Sequence, residues 1–186
     1  MTGPDPEAWR DGLVHLGPDW VLDVDGVPVR SAARVVLVDD AGRVLLARGH
    51  DPHEPDRSWW YTIGGGIDAG ETPRSAAVRE VAEETGLVLD PADLTGPVAT
   101  RTALFDFAAH TVRQHEEFFL ARVPADRELS SAGWTEIELR FMDELRWWTP
   151  AEVASTREQL YPEALPTLLA VLVDWDGAVR RLPDGP

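Results

Sequence analysis

The sequence predicts an α/β fold, a mixed β-sheet sandwiched between helices, and three observations carry that prediction. Short β-rich runs stand on both sides of one well-signed central helix, turn residues separate several of them at hairpin distances, and two more helical segments follow near the C-terminus. A chain of 186 residues with 44% hydrophobic content is enough for one compact domain with its own core.

Residues 1–30 read as an N-terminal extension, in which WVLDVDGVPVR places apolar residues on both sides of Asp25-Gly26 as a possible hairpin. The main domain is expected over 31–176, with a tail at 177–186. ARVVLVDDAGRVLLAR predicts strands near 33–38 and 43–48 joined at Asp39–Gly42, and WWYTI predicts a short strand running into Gly64-Gly65-Gly66. The next helix is signed by Thr72 as its cap, Pro73 at its first position and Gly86 at its end. ATRTALFDFA and TVRQHEEFFLARV read as antiparallel partners, and another strand ends at Trp147-Trp148. Thr149-Pro150-Ala151-Glu152 is a capping box opening a short helix, and a last helix is expected over Glu163–Val173.

The net charge of −16 argues against a nucleic-acid polymer as partner, since such binders need a basic footprint. It leaves room for a small anionic substrate if a cation supplies the positive charge. No apolar run reaches the length of a membrane span, and the polar first residues lack signal-peptide character. The absence of cysteine removes disulfides, thiolate metal sites and thiol nucleophiles, so the expectation is a cytoplasmic protein.

The chemistry is concentrated in GGIDAGETPRSAAVREVAEETGL, from Gly65 to Leu87. At about 100° per residue, Glu80, Glu83 and Glu84 fall within an arc of roughly 100° on the helix. Val78 and Val81 point the other way, Ala76 and Ala77 flank the acidic face, and Arg79 lies four residues before Glu83. Like charges at these spacings repel, and the last helical turn disfavours anions. A bound Mg²⁺ or Mn²⁺ reverses that penalty, because hard cations prefer carboxylate oxygen. Three glutamates alone are equally well read as a solvated acidic face. The complete pattern is different, with a chance match of roughly one in a million.

This stretch resembles the Nudix box, glycine-x5-Glu-x7-Arg-Glu-aliphatic-x-Glu-Glu-x-Gly-aliphatic, at every fixed position, and the strand order resembles the family over about residues 33–173. One departure is Ile63, where many members carry proline. The resemblance implies an α/β/α sandwich that hydrolyses a nucleoside diphosphate linked to another group. It implies Glu80 and Glu84 as principal metal ligands, Glu83 as a further ligand or the partner of Arg79, the Gly65 carbonyl as a metal contact, and Glu71 as support for the loop or for a metal water. Glu80 is the choice for general base. An isomerase of the same fold relies on a cysteine that this chain lacks, and non-catalytic relatives have degenerate boxes.

Outside the box, one of Glu116 and Glu117 is a candidate for an additional catalytic or metal-linked carboxylate, with Glu116 preferred and Glu136 and Glu138 competing for that role. Trp60, or its neighbour Trp59, is a candidate to stack on a substrate ring, against the alternative of a core aromatic. Arg101 and Arg113 are candidates for phosphate, against cross-strand pairing with carboxylates. The histidines show no ligand spacing. The apolar extension, with Trp9 and Trp20, is expected to pack as an added hairpin, with a homodimer as one way of covering it.

Overall fold

The computed structural model describes residues 16, 19–51, 54–107, 110–136 and 138–185, so Trp9 and His53 fall outside the described residues. Strand β1 (Val21–Leu22) turns back at Asp25-Gly26 onto β2 (Pro28–Asp39), with Val21 opposite Val29. The Asp23 carboxylate accepts from the amides of Asp25 and Val27 at 2.8 and 3.0 Å, and Gly26 takes the left-handed φ of 76° that this turn requires. β2 runs continuously through residues 30 and 31, where the extension was expected to end.

The turn at Asp39–Gly42 leads into β3 (Val44–His50), but the two strands do not form the closed hairpin the sequence suggests. They pair only at Val38 and Val44, then part, and β4 (Ser58–Gly66) enters between them. β2 and β3 are buried along nearly their whole length, so each suits an interior position with partners on both edges. Helix α1 (Pro73–Thr85) follows, then the antiparallel pair β5 (Thr95–Phe107) and β6 (His110–Val123). β7 (Met142–Trp148), α2 (Pro150–Ser155), β8 (Leu160–Tyr161), α3 (Leu165–Leu172) and β9 (Arg180–Arg181) complete the chain.

The main path of the sheet is β7-β3-β4-β2-β6-β5-β9, with β1 beside β2 and β8 beside β4. β2 and β6 are parallel and the β2–β4 and β5–β6 pairs antiparallel, which is the expected mixed sheet. Alternation along β2 sends Ala33, Val35 and Leu37 into a core with Ala76, Ala77 and Val81 of α1. Val36 and Val38 face a second core containing Val153 of α2 and Leu165, Leu168 and Leu172 of α3. The sheet is therefore covered on both faces, an α/β/α sandwich. Among the described residues, no helix is long and apolar enough to cross a membrane.

Candidate active site

Helix α1 begins where the sequence says it should. The Thr72 hydroxyl accepts from the Ser75 amide, the Ser75 hydroxyl accepts from the Thr72 amide, Pro73 sits at the first position, and Gly86 ends the helix at φ 73°. Ala76 and Ala77 do not merely flank the acidic face, as expected, but are fully buried against the sheet. Their small side chains let the helix approach β4 closely, and that approach carries Glu80 and Glu84 inward, where both are buried. The glycines of β4 make room. A side chain at Gly65 would place its Cβ 2.7 Å from the Glu80 carboxylate. Gly64 has φ 126°, and a Cβ there would lie 2.1 Å from the carbonyl oxygen of Ala33. Its amide donates to Glu84 Oε2 at 2.9 Å.

Arg79 binds this assembly together. Its Nε and Nη2 donate to the two oxygens of Glu71, each at 2.9 Å, a fork that fixes the loop before the helix. Its Nη1 donates to Glu80 at 2.8 Å and Glu83 at 2.9 Å, and Nη2 reaches the Gly66 carbonyl at 2.9 Å. Glu71 also accepts from the Asp68 amide at 3.0 Å, and its hydrogen bonds from Arg79 hold it below the usual carboxylate range. Of the two alternatives for Glu83, the geometry supplies the ion pair with Arg79.

The carboxylates that converge are Glu80, Glu84 and Glu138, which offer oxygens all within 4.8 Å of one another. Glu138, one of the candidates for an additional carboxylate, joins Glu80 and Glu84 in this cluster, while Glu83 is half-exposed and turned to Arg79. Glu138 opens a 3-10 turn (Glu138–Arg140) and is held by reciprocal bonds with Thr135: its carboxylate accepts from the Thr135 amide at 2.6 Å, and its own amide donates to the Thr135 hydroxyl at 3.2 Å. The preceding loop is fastened to the end of α1, where Trp134 Nε1 donates to the Glu84 carbonyl at 2.8 Å and the Ser130 amide to the Thr85 carbonyl at 2.8 Å. Thr135-x-x-Glu138 has a capping-box spacing, which adds a local reason for Glu138 to stand here beside its place among the candidate carboxylates. Glu136 is exposed.

Crowding these acids is costly. Burial, reinforced by Glu83 and Glu138 and opposed by Arg79, pushes the Glu80 carboxyl up to about 7. Burial and the neighbouring Glu80 push Glu84 well above its ordinary range. Hard oxygen donors sharing charge that they cannot all carry fit a divalent cation.

Glu116 is buried a short way off, accepting from Arg34 Nε at 3.0 Å, Gln114 Nε2 at 2.6 Å and Arg101 Nε. Burial alone would raise its pKa, but Arg34 and Arg101 together hold it below the usual range. A carboxylate so engaged is a poor proton acceptor, and Glu116 lines the same cavity as the acidic helix. Arg101 does line the cavity, as expected of a substrate contact, and Glu117 does not. Arg113 pairs with Asp23 instead of facing the cavity.

These groups surround a cavity of about 260 Å³. Of the two readings for Trp60 the structure has the core aromatic: it is 2% exposed beneath α2 and α3, edge-on to Trp148 at 4.9 Å, with Nε1 donating to Glu158 at 2.6 Å. Alternation along β4 turns Trp59 the other way, and it lines the cavity, with the Arg57 guanidinium 5.4 Å from its ring centre.

The sequence model for the NUDIX domain matches residues 28–170. The chain belongs to the Nudix family. An RNA pyrophosphohydrolase of Halorhodospira halophila is 33% identical over 174 residues, covering 84% of this chain and 89% of that one. A protein of the same name from Tolumonas auensis is 28% identical over 82% of this chain and 91% of its own length. Among solved structures, a MutT/nudix family protein of Enterococcus faecalis superposes with a TM-score of 0.57 at 16% identity, over 91% of this chain and 70% of the other. A C. elegans Ap4A hydrolase complex superposes with a TM-score of 0.55 at 18% identity, over 77% and 95%. The structural likenesses show the shared fold, and the family match with its pyrophosphohydrolase relatives makes this chain a Nudix pyrophosphohydrolase.

Proposed function

We propose that this Nudix enzyme uses Mg²⁺ or Mn²⁺ to hydrolyse the pyrophosphate linkage of a nucleoside diphosphate joined to another group, with water attacking phosphorus. The observation that carries the reading is the convergence of Glu80, Glu84 and Glu138 beside an arginine-lined cavity. These three carboxylates would hold the cation, with the Gly65 carbonyl from the adjacent strand as a further ligand. The cation, when bound, supplies charge neutralisation for the bridging and non-bridging phosphate oxygens.

The remaining work belongs to the chain. Arg79, with Glu71 and Glu83, keeps Glu80 and the glycine strand in register. Glu80, which lines the cavity and is held in place by Arg79, takes the proton from the attacking water. Glu116 holds Arg34 and Arg101 in place, and the arginines orient a phosphate group. Trp59 offers a ring face to the group linked through the diphosphate.

The names of the relatives favour a second substrate form, the triphosphorylated 5′ end of RNA. Against a long RNA stands the net charge of −16, which supplies no basic track for a polymer backbone. The test is a panel of nucleotide sugars, dinucleoside polyphosphates, ADP-ribose, damaged dNTPs and a short 5′-triphosphorylated oligonucleotide, each with Mg²⁺, Mn²⁺ or EDTA. Metal-dependent cleavage of a small diphosphate in ¹⁸O-water, with the label on phosphorus, is the expected result. Turnover in EDTA, or turnover of the oligonucleotide alone, contradicts the reading.

A further inference from the structure

The residues just before the family-matched region form part of the cavity wall. Asp19 and Trp20 line it, although the family match begins only at residue 28. Trp20 is 5% exposed and packs with Val112, Phe105 and Phe107, while the Arg30 guanidinium lies 4.5 Å from its ring centre. The segment is pinned at both ends, Asp19 pairing with Arg30 Nη1 at 2.8 Å and Asp23 with Arg113. The pinning reaches inward, because Arg30 Nε donates to Gln114 at 2.6 Å and Gln114 donates to Glu116 at 2.6 Å. Asp19 also presses on the glycine strand, since a Cβ at Gly66 would stand 2.0 Å from its Oδ2.

We propose that the arm from Asp19 to Asp23 is a specificity-determining part of the substrate site, with Trp20 walling the cavity against a flat aromatic ring of the substrate and the two ion pairs holding it there. A passive cover would be expected to pair with solvated groups. This arm is tied instead, through Arg30, to buried Gln114 and from there to Glu116, the carboxylate that also holds Arg34 and Arg101. Trp20, Trp59 and Phe105 give the cavity flat apolar faces, the surroundings that suit a nucleobase. The inference rests on the proposed hydrolysis of a nucleotide-type diphosphate.

Steady-state kinetics on the best nucleotide substrate of the panel test it, using the full chain and the variants Trp20→Ala, Trp20→Phe, Asp19→Asn and Val24→Ala. Trp20→Ala should raise KM roughly tenfold with kcat changed less than about threefold. Trp20→Phe should restore most of the loss, Asp19→Asn should move KM the same way by less, and Val24→Ala, on a fully exposed side chain, should change nothing. The Mn²⁺-induced rise in melting temperature should survive in all four, because none supplies a carboxylate of the acidic trio. KM unchanged in Trp20→Ala, or a parallel loss of kcat and metal response, overturns the inference. If Trp20→Ala does not fold, Asp19→Asn decides, and an unchanged KM there overturns it equally. A full chain that hydrolyses no diphosphate brings down the functional reading instead, which separates the two failures.

Discussion

At the scale of single residues, the site is an electrostatic problem held in place by packing. Glu80 in the folded, metal-free chain takes up its proton near pH 7, but in the unfolded chain it does so in the ordinary carboxylate range, near 4.5. Between those values the folded state binds more protons, so stability must fall as pH rises from about 4.5 to about 7. Glu84 acts in the same direction, while Glu71 and Glu116, shifted downward, act only at lower pH. Denaturant midpoints of the EDTA-treated protein at pH 5 and pH 7 should show this fall, and Glu80→Gln should flatten it. A wild-type midpoint that rises across the window contradicts the assignment. Glu116 behaves oppositely, since Glu116→Gln removes a buried charge to which both Arg34 and Arg101 donate. That change should cost about 3–5 kcal/mol of stability at neutral pH by urea unfolding.

At the scale of elements, α1 and β4 act as one unit, because the glycines of the strand accommodate the acids of the helix. Gly64→Ala must force φ 126° on a residue with a side chain and drive a Cβ into the Ala33 carbonyl. It should cost on the order of 3 kcal/mol or prevent folding, whereas Thr72→Ala, which removes only the cap, should cost about 1 kcal/mol by the same measurement. The helix was fully legible in the sequence, since Thr72, Pro73 and Gly86 each have a local reason to stand where they do. The capping box at Thr149 was legible for the same reason. The insertion of β4 between β2 and β3 was not, because turn residues specify a reversal at Asp39–Gly42 but not the partner each strand finds afterwards. Trp59 and Trp60 could not be told apart until the phase of β4 was known, since a shift of one residue exchanges their faces. Glu138 was legible only as one of several candidates for an additional carboxylate, and its convergence with Glu80 and Glu84 depends on Trp134 anchoring a loop across fifty residues of sequence.

At the scale of the whole molecule, residues 19–30 are tied to the rest of the fold by β1, the start of β2 and the ion pairs of Asp19 and Asp23. The single chain buries Trp20 against Val112, Phe105 and Phe107, so a dimer is not needed to cover that side chain, although Val21, Leu22 and Val24 stay exposed. We propose that residues 19–30 stabilise the fold. A chain beginning at Ser31 loses β1 and the first part of β2, and its melting temperature should drop by several degrees, consistent with losing a buried aromatic. An unchanged melting temperature would make the segment a passive tail.

The three scales meet in the acidic trio. We propose that Glu80 and Glu84, which crowd each other in the metal-free protein, are relieved by a divalent cation that catalysis requires. The most direct measurement is the melting temperature with and without Mn²⁺, alongside hydrolysis, for the wild type and the double variant Glu80→Gln, Glu84→Gln. The metal-free double variant should be at least as stable as the wild type, the wild type alone should gain substantially on adding metal, and the variant's activity should fall by orders of magnitude. Equal metal responses in the two proteins, with hydrolysis retained in the variant, would show that these carboxylates do not hold the metal and that the chemistry lies elsewhere.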